Sequence, residues 1–173
     1  SAASDVYKRQ VYARHYKTGE PIPQELIDKL QKSSHFNQGF ATTEFMAAAL
    51  LDMAYHTVKT TEPIHVEKFE KETLDKLGLI PEITVRYRST YFSHIFDSGY
   101  SAGYYAYTWA EVLDADAFQA FKETGDIFNP EKALAFRQYV LAKGGSDDAM
   151  KLYREFRGKD PSIEPLLKRR GLN

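Results

Sequence analysis

The chain has 173 residues, 43% of them hydrophobic, and its 23 Lys and Arg nearly balance 24 Asp and Glu for a formal net charge of −1. That length buries one real core, as a single domain or as part of a larger one, and the interspersed signs form no clustered basic surface, which sets aside nucleic acid and an anionic membrane as partners. Cysteine is absent, which excludes disulfides, thiolate nucleophiles and cysteine metal sites, and the written sequence carries neither a signal-peptide pattern nor an apolar run near the ~18 residues of a membrane span.

Residues 1–10, SAASDVYKRQ, resemble the translation of a sequencing adapter, so native sequence is expected to begin near Val11. VYARHYKTG then reads as the end of a helix closing at Gly19, and the prolines at 21 and 23 open a second helix whose inner face carries Leu26, Ile27 and Leu30. ATTEFMAAALLDMAYHTV is alanine-rich and apolar on nearly every side, the pattern of a helix buried among others. HVEKFEKETLDKLGL is a charged amphipathic helix with Phe69 and Leu77 inward and Gly78 near its end. Between residues 80 and 99 the helical period is lost, and Ile83, Val85 and Tyr87 alternate with polar residues, which allows a short extended segment near 82–97.

The stretch from His94 to Glu111, HIFDSGYSAGYYAYTWAE, follows and continues as one helix toward Gly125. Asn129 and Pro130 supply an N-cap and a first-turn proline for a helix stopping at Gly144. Ser146 with Asp147 and Asp148 starts another, and Asp160 and Pro161 open the last. The fold class expected is all-α.

Candidate chemistry concentrates in the 94–111 stretch. The five histidines stand at 15, 35, 56, 65 and 94, with no H-E-x-x-H motif, so no self-contained zinc site is expected. No G-x-S-x-G elbow is present, and Gly99 and Gly103 lack the spacing of a phosphate loop. If a helix begins near Ser101, Tyr100, Tyr104 and Tyr107 fall at i, i+4 and i+7, and three phenols share one face with Glu111 a turn further on. With a reference pKa near ~10, phenols are donors at neutral pH, suited to a peptide carbonyl or to the oxyanion formed when it is attacked. Spacing alone fits better with amphipathic packing residues whose hydroxyls reach solvent or backbone, and His94 next to Phe92 and Phe96 fits a packed histidine better still. Gly99 and Gly103 permit positive φ or close backbone approach, serving either a turn or a moving loop. Trp109, on another face, reads as core.

FNQGFATTEFMAAALLDMAYH followed by YRSTYFSHIFDSGYSAGYYAYTWAEVLDADAFQAF resembles the C-terminal catalytic segment of the thimet oligopeptidase family of zinc metallopeptidases, nearest its bacterial peptidyl-dipeptidase branch. The likeness runs from Val11 to Asn173. It implies that residues 11–173 are the incomplete C-terminal part of a helical, two-lobed catalytic domain acting on short peptides, with release of C-terminal dipeptides, or endopeptidase cleavage as the alternative. It implies zinc as the cofactor of the full-length protein, held by an H-E-x-x-H motif and a later glutamate, with the motif glutamate as general base. Those groups would lie on an N-terminal lobe of the same chain not present here, so no metal ligand is expected in this segment, which should bind no zinc and be inactive alone. By the same resemblance His94 and Tyr107 are catalytic, and His94, Tyr100, Tyr104, Tyr107, Gly99 and Gly103 bind substrate. Asp97 and Ser98 stand where related sequences often carry a small residue and a glycine. A cytoplasmic location follows from the resemblance alone. A helical interaction module using the tyrosine face as a groove is the alternative from a different class.

Overall fold

The computed structural model describes residues 11–172; the reading of residues 1–10 as non-native therefore falls outside the described residues. Eight α-helices and no strand occur among those residues: α1 Gln24–Ser34, α2 Gln38–His56, α3 Val66–Lys76, α4 Ser93–Phe96, α5 Ala106–Lys122, α6 Pro130–Phe136, α7 Ala149–Arg157 and α8 Glu164–Arg170. The all-α expectation holds. The possible extended segment resolves into irregular chain, a single 3-10 turn at Ser89–Tyr91, and α4.

Where a single core was expected the chain divides into two compact units, one built from residues up to Phe36 together with Ala110–Asn173, the other from Asn37–Trp109. Helix α5 contributes its first turn to the second of these and the remainder to the first.

In the 37–109 unit, α2 is the buried helix that its composition indicates. Ala47, Leu51 and Val85 pack with Tyr55, Phe69, Leu74 and Leu79, and Ala48, Ala49, Phe92, Ile95 and Tyr104 form a second cluster with Phe45, Tyr55 and Tyr87. Alanines on α2 let these aromatic rings approach its backbone, and burying a side chain such as Leu51 contributes about 1.5–3 kcal/mol. The irregular stretch 80–92 has no ladder to satisfy its backbone, and a buried carboxylate on α3 takes part of that role. Glu70 accepts the Ser89 N–H and the Ser89 hydroxyl, both at 2.7 Å, and Arg88 Nε at 2.9 Å. Burial alone would raise the Glu70 pKa, but the Ser89 and Arg88 hydrogen bonds outweigh it and hold the carboxyl below its ordinary range. On α3 the inward residues are thus Phe69 and Glu70, while Leu77 is exposed.

In the other unit, Ala117, Ala120, Tyr153 and Phe156 pack with Phe121, Phe136 and Val140. Beside them lies a buried ionic network: Arg157 Nε is 3.0 Å from Asp116, its Nη1 is 2.7 Å from Glu123, and the Tyr153 hydroxyl donates to Asp116 at 2.6 Å. Local signals set most helix ends here. Asn129 caps α6 by accepting the Lys132 N–H, Asp148 caps α7 by accepting that of Lys151, and Gly158 closes α7 with φ 80. The expectation that residues 11–19 end a helix at Gly19 is corrected: helix is present at Val11 and Tyr12 and stops there, and an antiparallel bridge then joins Arg14 to Pro21 around a turn. In α1 only Ile27 is buried, while Leu26 and Leu30 are exposed.

Candidate functional site

The aromatic surface of the 37–109 unit starts at α4, which is one turn long. The Ser98 hydroxyl donates to the His94 carbonyl at 2.5 Å and the Asp97 N–H to the Ser93 carbonyl at 2.8 Å, so the two residues set apart in the sequence close this turn. The chain then runs through successive turns to Ala106. Within them the Ser101 hydroxyl reaches back to the Ile95 carbonyl at 2.6 Å, and the Gly103 N–H donates to the Tyr100 carbonyl at 2.8 Å.

Helix α5 therefore begins at Ala106 and not near Ser101. The cause is visible in the backbone. Ala102 adopts φ 55, in the left-handed region that a non-glycine residue rarely occupies, and a helix cannot pass through it. Asp52, on α2 and 0% exposed, accepts the Ala102 N–H on Oδ1 and the Tyr104 N–H on Oδ2, both at 2.9 Å. His56 Nδ1 lies 2.8 Å from Oδ1 of the same carboxylate. Neither Gly99 nor Gly103 has a positive φ, and an added Cβ would meet nothing within 4 Å at Gly99 and only ordinary contacts at Gly103. The special backbone position of this loop is an alanine.

Tyr100, Tyr104 and Tyr107 nevertheless come together with His94, through the loop instead of along one helical face. Ring centroids lie 6.1 Å from His94 to Tyr100, 5.6 Å to Tyr104 and 6.3 Å to Tyr107, and Tyr100 stacks on Tyr107 at 5.0 Å. Their exposures differ. Tyr100 and Tyr107 are each 37% exposed, whereas Tyr104 is 2% exposed and belongs to the core, its ring 4.9 Å from Phe92. The Arg86 guanidinium hydrogen-bonds the Tyr104 and Tyr87 hydroxyls and lies over the Tyr87 ring. Burial pushes the Tyr104 pKa up against the opposing pull of Arg86.

A hydrogen bond with the Tyr100 hydroxyl, aided by burial, pushes Tyr107 up to about 12, so this phenol keeps its proton throughout the ordinary pH range. His94 Nδ1 is buried with no hydrogen-bond partner among the described residues. Unpaired buried polar atoms are uncommon in folded proteins, which sets this imidazole apart from the other side chains of the cluster. Glu111, expected on the face of the phenols, pairs with Arg170 of its own unit. Trp109, read as core, is 44% exposed.

The residue that sequence reasoning missed is Asp52. Its signal was present, because a carboxylate in the middle of an otherwise apolar helix needs specific donors. Among the described residues no group of three or more His, Cys, Asp or Glu side chains could hold a metal ion, and no helix is long and apolar enough to cross a membrane.

Residues 3–172 match the model of peptidase family M3. The chain is 46% identical over 164 residues to a dipeptidyl carboxypeptidase of Escherichia coli, covering 94% of this chain and 24% of that protein. It is 36% identical over 159 residues to an oligopeptidase A of Haemophilus influenzae, covering 91% and 23%, and 40% identical over 166 residues to a probable cytosolic oligopeptidase A of Arabidopsis thaliana, covering 92% and 23%. The chain thus spans about a quarter of the length of the curated relatives it matches.

Proposed function

The chain belongs to peptidase family M3, and on that premise we propose that it is the C-terminal, substrate-binding part of a zinc metallopeptidase that cleaves short peptides and releases C-terminal dipeptides. The observation that carries this reading is the convergence of His94, Tyr100 and Tyr107, with both phenols exposed beside the imidazole ring. In this role the Tyr107 hydroxyl donates to the oxygen of the attacked peptide carbonyl as negative charge develops there. His94 and Tyr100 hold the substrate backbone, and the turns containing Gly99 and Gly103 follow its path. Tyr104 works from beneath, packing the ring cluster and holding Arg86 at its hydroxyl. A donor aimed at developing charge lowers the barrier without requiring tighter substrate binding.

The described side chains do not fit a zinc site, so the metal and the base belong in this reading to an N-terminal lobe of the same chain, and no step here runs through them. Removal of dipeptides, as against cleavage within the peptide, is favoured by the higher identity to the dipeptidyl carboxypeptidase than to the oligopeptidases. A cytoplasmic location belongs to the same reading.

The test is Tyr107→Phe in the full-length enzyme. It removes one hydroxyl and leaves the stacked ring in place, and kcat is expected to fall by about 10²-fold or more with KM little changed. Unchanged turnover would remove Tyr107 from the chemistry and leave the surface as a binding groove.

A further inference from the structure

Helix α2 is the most apolar helix of the 37–109 unit, and it holds a carboxylate where its neighbours are alanine and leucine. Such a group is costly to bury unless its oxygens are engaged, and both oxygens of Asp52 are engaged by backbone N–H groups of the loop that links Tyr100 to Tyr107. The two N–H groups are two residues apart and flank Gly103, with the left-handed Ala102 as one of them. The carboxylate therefore grips the loop at the point where its backbone is least favourable.

The alternative path for this loop is written in its own sequence. From Ser101 onward the side-chain pattern suits a helix continuous with α5, and Ala102 would favour right-handed φ if left to itself. On that path Tyr100 and Tyr104 would turn onto a common helical face with Tyr107, and the present stacking of Tyr100 on Tyr107 at 5.0 Å would be lost. We propose that Asp52 is a positioning residue: it stops α5 from extending toward Ser101 and so fixes the separation of Tyr100 and Tyr107 that a bound peptide meets. His56, through Nδ1 at 2.8 Å, fixes the carboxylate in turn. Asp52 touches neither substrate nor reacting atoms, and its effect passes through the loop.

This role rests on the peptidase reading above, and the test separates the two. In the full-length enzyme Asp52→Asn keeps the shape of the side chain but presents an amide donor to one of the two loop N–H groups. Turnover is expected to fall by about 10²-fold, the cost of misplacing a catalytic donor by a small distance, with metal content close to that of the parent and a lowered melting temperature, since one buried N–H loses its acceptor. Combined with Tyr107→Phe, the second loss should be much smaller than the first, because the misplaced hydroxyl is already gone. A purely structural aspartate would give additive losses. Ala102→Pro provides a route that leaves the core helix untouched, since proline lacks the N–H that Asp52 binds and cannot adopt positive φ; it should reproduce the fall in turnover if Asp52→Asn does not fold. Unchanged turnover in Asp52→Asn or in Ala102→Pro, or full additivity with Tyr107→Phe, overturns the positioning role while leaving Tyr107 in place. Unchanged turnover in Tyr107→Phe alone removes Tyr107 from the chemistry, the part of the peptidase reading on which the positioning role rests.

Discussion

The hydrogen bond that Tyr107 shares with Tyr100 changes what a rise in pH does to this surface. A group whose folded pKa is raised contributes stability below its unfolded value and loses it as pH climbs through the folded value. For Tyr107 that interval runs from 10.0 to about 12, so this phenol keeps its proton through neutral and mildly alkaline conditions. Ultraviolet titration of tyrosinate is expected to show one phenol missing from the late part of the curve in Tyr107→Phe, with a midpoint near 12, and an earlier midpoint in Tyr100→Phe. A Tyr107 that titrates at 10.0 in the parent protein would mean that the two hydroxyls do not bond. At this scale the sequence was informative about identity and poor on geometry. Histidine and tyrosine could be named from spacing and resemblance. That Tyr104 is buried while Tyr100 and Tyr107 are half exposed depends on Phe92, Phe45 and Arg86, which come together only through the fold.

Among the elements, those whose ends depend on neighbours in sequence were legible. Asn129 and Asp148 cap helices three residues away, as their types indicate, and Gly158 closes α7. Elements settled by distant partners were not. The start of α5 is moved to Ala106 by a carboxylate 50 residues earlier in the chain, and the path of residues 80–92 follows Glu70, 19 residues before Ser89. Helical periodicity found faces but not what covers them, hence the exposure of Leu26, Leu30 and Leu77. Glu70 also contributes to the acid sensitivity of its unit. Its carboxyl is held below the usual 4.5, so it stabilises the fold above that pH, and the contribution disappears as pH falls through the lower folded value. Glu70→Gln is therefore expected to lower the melting temperature at neutral pH and to flatten its decline below pH 4.5, read by circular dichroism across a pH series. A parallel decline in both proteins would place the acid sensitivity elsewhere.

Taken whole, the chain carries donors without a metal-binding group among its described residues, while matching an M3 peptidase model over nearly all its length. The polypeptide as written is expected to bind no stoichiometric zinc after dialysis and to hydrolyse no short peptide, measured by metal analysis and product chromatography. Tight zinc binding would require ligands that the described side chains do not offer. Asp52 has one more consequence, for anyone who would redesign this protein to withstand heat. A hydropathy-guided search would change that position first, because a leucine there completes the apolar surface of α2 and removes a buried charge. The redesigned helix would look better by every local measure, and the turn at Ala102 would have nothing left to hold it. Such a variant would leave the Ala102 and Tyr104 N–H groups without their acceptor, a cost that hydropathy does not register.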